Sequence, residues 1–137
     1  MRFTKFATAV LVDDVATARD FLVAHVGMKV TVDLGWYVDF GHESDPSFTF
    51  DLIQSDHEST PAALRGRSVA GTFLALMVED AKAEEDRLRE AGAEIIAECV
   101  DEPWGQRHFF AAVPGGLVLD ILQMIEPDPA WLAANGL

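Results

Sequence analysis

Two aspartates stand where strand residues are normally apolar. Asp51 lies in Phe48-Thr49-Phe50-Asp51-Leu52-Ile53-Gln54 and Asp120 in Leu117-Val118-Leu119-Asp120-Ile121-Leu122-Gln123, segments that match at an offset of 69 residues. A carboxylate inside a strand is unfavourable by propensity and by desolvation unless something compensates. Two such groups in a partly dry setting can hold different protonation states, one serving as acid and the other as base. The competing reading pairs each with Arg107 or with backbone donors. Of the four histidines, His108 alone lies beside one of these strands and is the candidate ligand or base. His25 near a helix end, His42 in a turn and His57 in a linker read as solvated or hydrogen-bonded side chains. Cys99, the lone cysteine, has no evident base partner, which argues against a nucleophile.

The elements that must position these groups come in two copies. Val12-Asp13-Asp14-Val15-Ala16 is echoed by Val78-Glu79-Asp80-Ala81-Lys82 66 positions later, in the same order as the two aspartate segments. Two matches in one order indicate duplication of a unit of about 65 residues. In the first copy, residues 6–12 read as a strand, and Asp13 or Asp14 caps a helix. Val15, Ala18, Leu22 and Val26 share its buried face, and Gly27 stops it. Strands at 29–34, 36–40 and 48–54 follow, separated by Gly35 and by a turn cluster at 41–47. In the second copy, 72–78 is a strand, Asp80 caps a helix anchored by Leu88 and ended by Gly92, and 94–100, 107–113 and 117–125 are strands. On that helix Lys82, Glu85, Asp86, Arg89 and Glu90 read as the solvated side. The organisation is one domain, 1–137: modules at 6–55 and 71–125, a polar linker at 56–70 with a helical turn begun by Thr60-Pro61, and a tail at 126–137. In the tail, Asp128-Pro129 caps a short helix carrying Trp131 and Leu132.

Charge narrows the partners. The chain of 137 residues carries 23 acids against 10 bases, a net charge of -13. That balance argues against nucleic acid, where phosphate contacts need cations, and against anionic membrane surfaces. A cationic or uncharged small molecule remains. The acids number 10 against 6 bases up to Val69 and 13 against 4 beyond it. The excess falls largely on the second helix and on Glu94, Glu98, Asp101 and Glu102, positions read as outward and serving solubility. Phe6–Val12 is short, is followed at once by Asp13 and Asp14 and lacks a cleavage site, so it reads as a strand and not a signal peptide. No apolar stretch approaches the ~20 residues that span a bilayer. With a single cysteine, no internal disulfide framework is possible, and a reducing cytoplasm fits.

The strand–helix–three-strand unit, doubled in one short chain, resembles the vicinal-oxygen-chelate superfamily of glyoxalases, bleomycin-resistance proteins and extradiol dioxygenases. The most specific local match is Pro103-Trp104-Gly105-Gln106-Arg107-His108-Phe109-Phe110 with Pro114-Gly115-Gly116. It resembles the Pro-Trp-Gly, aromatic strand and Asp-Pro-x-Gly turn of bleomycin-resistance-type members, with Val113 standing where that turn usually carries Asp. The resemblance spans Phe6 to Ile125 and implies an α+β fold in which two tandem βαβββ modules form a cupped mixed β-sheet with helices outside. Alternation then turns Phe48, Phe50, Leu52, Leu117, Leu119 and Ile121 toward the helices, and leaves Asp51 and Asp120 in the cup.

Metal-dependent members take four ligands from the first and last strand of each module. Asp51 and Asp120 match the two carboxylate positions, while Ala7 and Phe73 occupy the other two and donate nothing to a metal. A register shift by one brings in Thr8 or Thr72, still without an imidazole. Two carboxylates are thin coordination for a divalent ion, so the expectation is a protein with no metal cofactor. The cup is then an apolar container lined by Ala7, Ala9, Leu11, Phe73, Ala75 and Met77, with Asp51 and Asp120 as its polar contacts. Trp36, Tyr37, Trp104 and Phe110 are its aromatic candidates, joined by Arg107 and His108. Trp104 stands out because it sits in a Pro-Gly-bounded loop. Flat walls and a few acids suit a planar, neutral or cationic organic ligand. The expected function is a cytoplasmic, homodimeric binding protein that sequesters such a compound, an antibiotic among the options. The alternatives are a metal-dependent lyase, isomerase or dioxygenase of glyoxalase type, and a metal-free enzyme with Asp51 or Asp120 as its base.

Overall fold

Aspartate caps and strand alternation build the same plan twice. The computed structural model describes every residue except 3–6 and 68–70, with Pro46 described for its backbone alone. Strand β1 (Thr8–Val12), helix α1 (Val15–Phe21) and strands β2 (Lys29–Asp33), β3 (Tyr37–His42) and β4 (Asp45–Gln54) form the first module. Strand β5 (Leu74–Met77), helix α2 (Ala81–Glu90) and strands β6 (Ile95–Glu102), β7 (Gln106–Val113) and β8 (Leu117–Met124) form the second, and α3 (Pro129–Asn135) ends the chain. Each module is a four-stranded mixed sheet, ordered β1-β4-β3-β2 and β5-β8-β7-β6. The opening strand of each lies parallel to the closing one. The chain is thus α+β with two tandem βαβββ modules. It divides into two compact units: Met1–Thr72 with Val113–Leu117, and Phe73–Ala112 with Val118–Leu137.

The caps are local chemistry and fall where short-range reasoning puts them. Asp14 accepts from the Thr17 N–H at 3.0 Å, Asp80 from Ala83 at 3.0 Å and Asp128 from Ala130 at 2.7 Å. The Thr17 amide and hydroxyl together hold the Asp14 carboxyl below its usual range. One departure is the end of α1. The helix widens into a π-helical turn over Leu22–Val26 and closes at Gly27, whose φ is 79°. The buried stripe therefore ends at Leu22, and Val26 is only half-buried. A second departure lengthens the β3–β4 hairpin: the expected turn cluster at 41–47 contracts to Glu43-Ser44, with His42 paired to Asp45.

Below α1, Val10, Val12, Val38, Phe40, Phe50 and Leu52 are buried with Val15, Ala18 and Leu22. In the second unit Phe109, Ala111, Leu119 and Ile121 are buried, as are Ala81 and Leu88 of α2. The alternation that inters Phe50 and Leu52 leaves Asp51 on the other side, and the same holds for Leu119, Ile121 and Asp120. The Pro114-Gly115-Gly116 turn closes without the usual Asp: Val113 O accepts from Gly116 N at 3.2 Å, and Gly115 O accepts from Asp13 N at 3.3 Å.

One reading of α2 needs correction. Glu85 is not on the solvated side; it is 1% exposed. Ala81, Glu85 and Leu88 fall at i, i+4 and i+7, one helical stripe. Lys82 and Arg89 fold over the carboxylate at 2.7 and 2.8 Å, and its Oε1 accepts the Cys99 N–H of β6 at 3.3 Å. These donors, Lys82 first, outweigh burial and hold Glu85 below the usual carboxylate range. Among the described residues no helix is long and apolar enough to cross a membrane.

Candidate functional site

In the first unit Asp51 pairs in register with Ala9 of β1 on one side and with Asp39 of β3 on the other. Carboxylates directly opposite each other on antiparallel strands repel, and hydroxyls relieve the conflict. Tyr37 donates its O–H to Asp51 Oδ1 at 3.1 Å, while Thr31 donates to Asp39 through a short hydrogen bond. Burial raises the Tyr37 phenol above its ordinary value, and the hydrogen bond and charge of Asp51 raise it further. Tyr37 thus remains a donor. Asp39 was not singled out in the sequence, yet it carried a signal: it lies two residues from Tyr37, hence on the same face. Trp36 is engaged elsewhere, stacked on His57 with ring centroids 3.8 Å apart and planes 1° from parallel.

In the second unit Asp120 pairs in register with Ala75 of β5. Its partner is not Arg107 but His108, whose Nδ1 lies 3.0 Å from Asp120 Oδ1. His108 and Asp120 side chains are only 13% and 9% exposed. The other ring nitrogen, Nε2, has Glu102 Oε1 at 3.6 Å, an approach of charge without a hydrogen bond. Phe110 meets the His108 ring edge-on at 5.2 Å, and Phe73 meets Phe110 edge-on at 5.6 Å. The 69-residue offset that relates Asp51 to Asp120 also relates Asp39 to His108. A carboxylate–carboxylate confrontation in one module has become a carboxylate–imidazole pair in the other.

Arg107 and Trp104 have partners outside these two clusters. Arg107 alternates to the face opposite His108 and closes a bidentate ion pair with Asp101, its neighbour in register on β6. Asp101, depressed by the Arg107 hydrogen bond, stays ionised. Trp104 donates its indole N–H to Gln106 Oε1 at 2.9 Å and packs 6.2 Å from Trp131 of α3, which leaves it 43% exposed. Phe73 is 53% exposed, and Met77 is among the most exposed apolar side chains. Ala7, Ala9 and Ala75 are exposed and Leu11 half-buried. Thr8 lies beside Phe50 in β1, and Thr72 precedes β5. Burial raises the Cys99 thiol, and the charge of Glu85 adds to this. Such a thiol is a poor nucleophile.

Among the described residues neither unit by itself gathers a donor set for a divalent metal. Both carboxylates have alanine as their register neighbour on the opening strand, and among the described residues no three His, Cys, Asp or Glu side chains are placed to hold an ion.

Sequence and fold comparisons converge. Residues 6–121 match the family model described as glyoxalase/bleomycin resistance protein/dioxygenase superfamily. Among solved structures, a glyoxalase/bleomycin resistance protein/dioxygenase from Nocardioides superposes with a TM-score of 0.72 at 20% identity, covering 94% of this chain and 89% of that one. TnmS3, an antibiotic binding protein from Streptomyces sp. CB03234, gives 0.70 at 24% identity, with coverage of 90% and 97%. Lactoylglutathione lyase from Agrobacterium tumefaciens gives 0.67 at 15% identity, with coverage of 89% and 94%. No curated protein matches the chain significantly.

Proposed function

We propose that this chain, which belongs to the glyoxalase/bleomycin resistance protein/dioxygenase superfamily, is a metal-free binding protein that sequesters a planar hydrophobic or cationic organic compound, of the antibiotic kind. The observation that carries this reading is the pair of alanines, Ala9 and Ala75, set beside Asp51 and Asp120. On the opening strand of each module they place a methyl group, with no electron pair to give, where a Lewis-acid centre would need a nitrogen or oxygen donor. Aromatic surface at exposed Phe73 and half-buried Phe110, near the buried Asp120, suits a flat cation. The likeness to TnmS3 supports an antibiotic-like ligand, and the likeness to the lyase marks the enzyme alternative. The reading includes a cytoplasmic homodimer with no nucleic-acid or membrane partner. Val30, Val32 and Leu34, exposed on and just after edge strand β2, support a self-association surface that sedimentation would reveal.

Calorimetry with bleomycin and fluorescence titration with proflavine, a planar cation, test the ligand class. Saturable binding that weakens with salt is expected. Asp120→Asn keeps an oxygen toward His108 but removes the charge beside Phe110 and Phe73, and should weaken proflavine about tenfold, the equivalent of ~1.4 kcal/mol. Absence of binding by either compound overturns the ligand class. Stoichiometric nickel, zinc, iron or manganese in protein purified without chelators overturns the metal-free reading in favour of the lyase or dioxygenase alternative.

A further inference from the structure

We propose that His108 and Asp120 form a metal-independent general base on the face of the second sheet turned away from α2, taking a proton from a planar carbon or oxygen acid lodged against Phe110 and Phe73. This adds chemistry to the ligand surface described above and rests on its metal-free reading. An ionised carboxylate only accepts hydrogen bonds, so the 3.0 Å contact places the imidazole proton on Nδ1, facing Asp120 Oδ1. Nε2 then carries the lone pair. Among the described residues it has no hydrogen-bond partner, and Glu102 Oε1 at 3.6 Å stands ready as a counter-charge when the ring takes up a proton. Buried carboxylate, oriented imidazole, free Nε2: this is the order of parts that makes histidine a base in acyl-transfer enzymes, here beside a T-shaped aromatic pair instead of an oxyanion hole. Asp120 acts as a positioning residue, because it reaches the reacting atoms only through His108.

5-Nitrobenzisoxazole is a planar, uncharged probe suited to the site. Nε2 would take the C3 proton, the C–H electron pair would become part of a nitrile, and the N–O bond would break to release a phenolate. The proton then passes from His108 to water, so no co-reactant is needed. Chelator-treated protein should convert the probe with saturation kinetics, and His108→Gln should lower kcat by about 10²-fold, the usual contribution of a positioned base. Asp120→Asn, nearly isosteric, should lower kcat with KM unchanged. No acceleration over an equal concentration of free imidazole, or acceleration that His108→Gln retains, overturns the base while leaving proflavine binding as a separate question. Turnover lost on chelation and restored by added nickel or zinc overturns the metal-free reading and the base with it.

Discussion

Replacing Glu85 by alanine should lower stability by about 3 kcal/mol, a fall of roughly 10 °C in Tm for a chain of this size. Two effects add. The Cys99 N–H loses its acceptor, and an orphaned part-buried donor costs about 1–3 kcal/mol. The side chain is 1% exposed, so its removal also leaves a void against β6 at about 1 kcal/mol or more. Lys82 and Arg89 are each about half-exposed and regain water, which keeps the loss below that of a fully buried pair. Glu85→Gln retains the acceptor for Cys99 and should cost about half as much. The charge component has a definite pH signature. The folded carboxyl is depressed below its ordinary value of 4.5, so its stabilisation is complete above that value and is lost as pH falls through the lower, folded one. Urea melts of the parent and Glu85→Gln should therefore differ at neutral pH and converge in acid. A gap that persists unchanged to pH 2 would mean that packing, not charge, holds this residue.

Glu85 also shows which parts of the molecule can be read from sequence. Its spacing from Ala81 and Leu88 was visible as a helical stripe, but its charge pointed to solvent, and charge was the wrong guide. Lys82 and Arg89, one residue after Ala81 and Leu88, supply the compensation that makes the buried position tolerable. Features fixed within a few residues were legible: the caps at Asp14, Asp80 and Asp128, and the alternation that separates Phe50 and Leu52 from Asp51. Cross-strand partners were not. The register of β6 against β7 shifts between Ile95 and Ala97 and again between Ala97 and Val100. Only after both shifts does Asp101 meet Arg107, and Glu102 reach the Nε2 side of His108. A bulge displaces every later pairing, and nothing in the residue types announces it. The candidate pairing of Asp120 with Arg107 failed for a simpler reason, because Arg107 alternates to the face opposite His108 and there meets Asp101, while the same repeat that located Asp120 contained His108 at the position of Asp39.

Gly105→Ala should be the most damaging single-methyl change in the chain, at about 4 kcal/mol. Gly105 has φ 98°, and a Cβ there would stand 3.0 Å from the Ile125 carbonyl oxygen and 3.2 Å from Pro127 Cβ. The left-handed backbone alone costs a non-glycine residue roughly 1–3 kcal/mol. The close atoms are backbone and a proline ring, neither of which can swing aside, so the segment itself must move. That movement breaks two bonds that fasten the tail to the Pro103-Trp104-Gly105 loop: Ile125 N to Gly105 O at 2.9 Å, and Asp128 N to Pro103 O at 2.9 Å. Gly35→Ala is the matched control, since Gly35 has φ 82° but open space where a Cβ would go, and it should cost only about 1 kcal/mol. The difference between the two variants isolates the close approach from the backbone preference. Because Trp104 packs on Trp131 across that junction, Gly105→Ala should also red-shift tryptophan emission and expose α3 to protease, whereas Gly35→Ala should do neither. If both glycines tolerate alanine equally, the loop does not hold the tail, and Trp104 is free to act as the ligand wall that its Pro-Gly setting first suggested. If only Gly105 fails, that tryptophan belongs to the anchoring of the C-terminal segment, and aromatic recognition rests on Phe73 and Phe110.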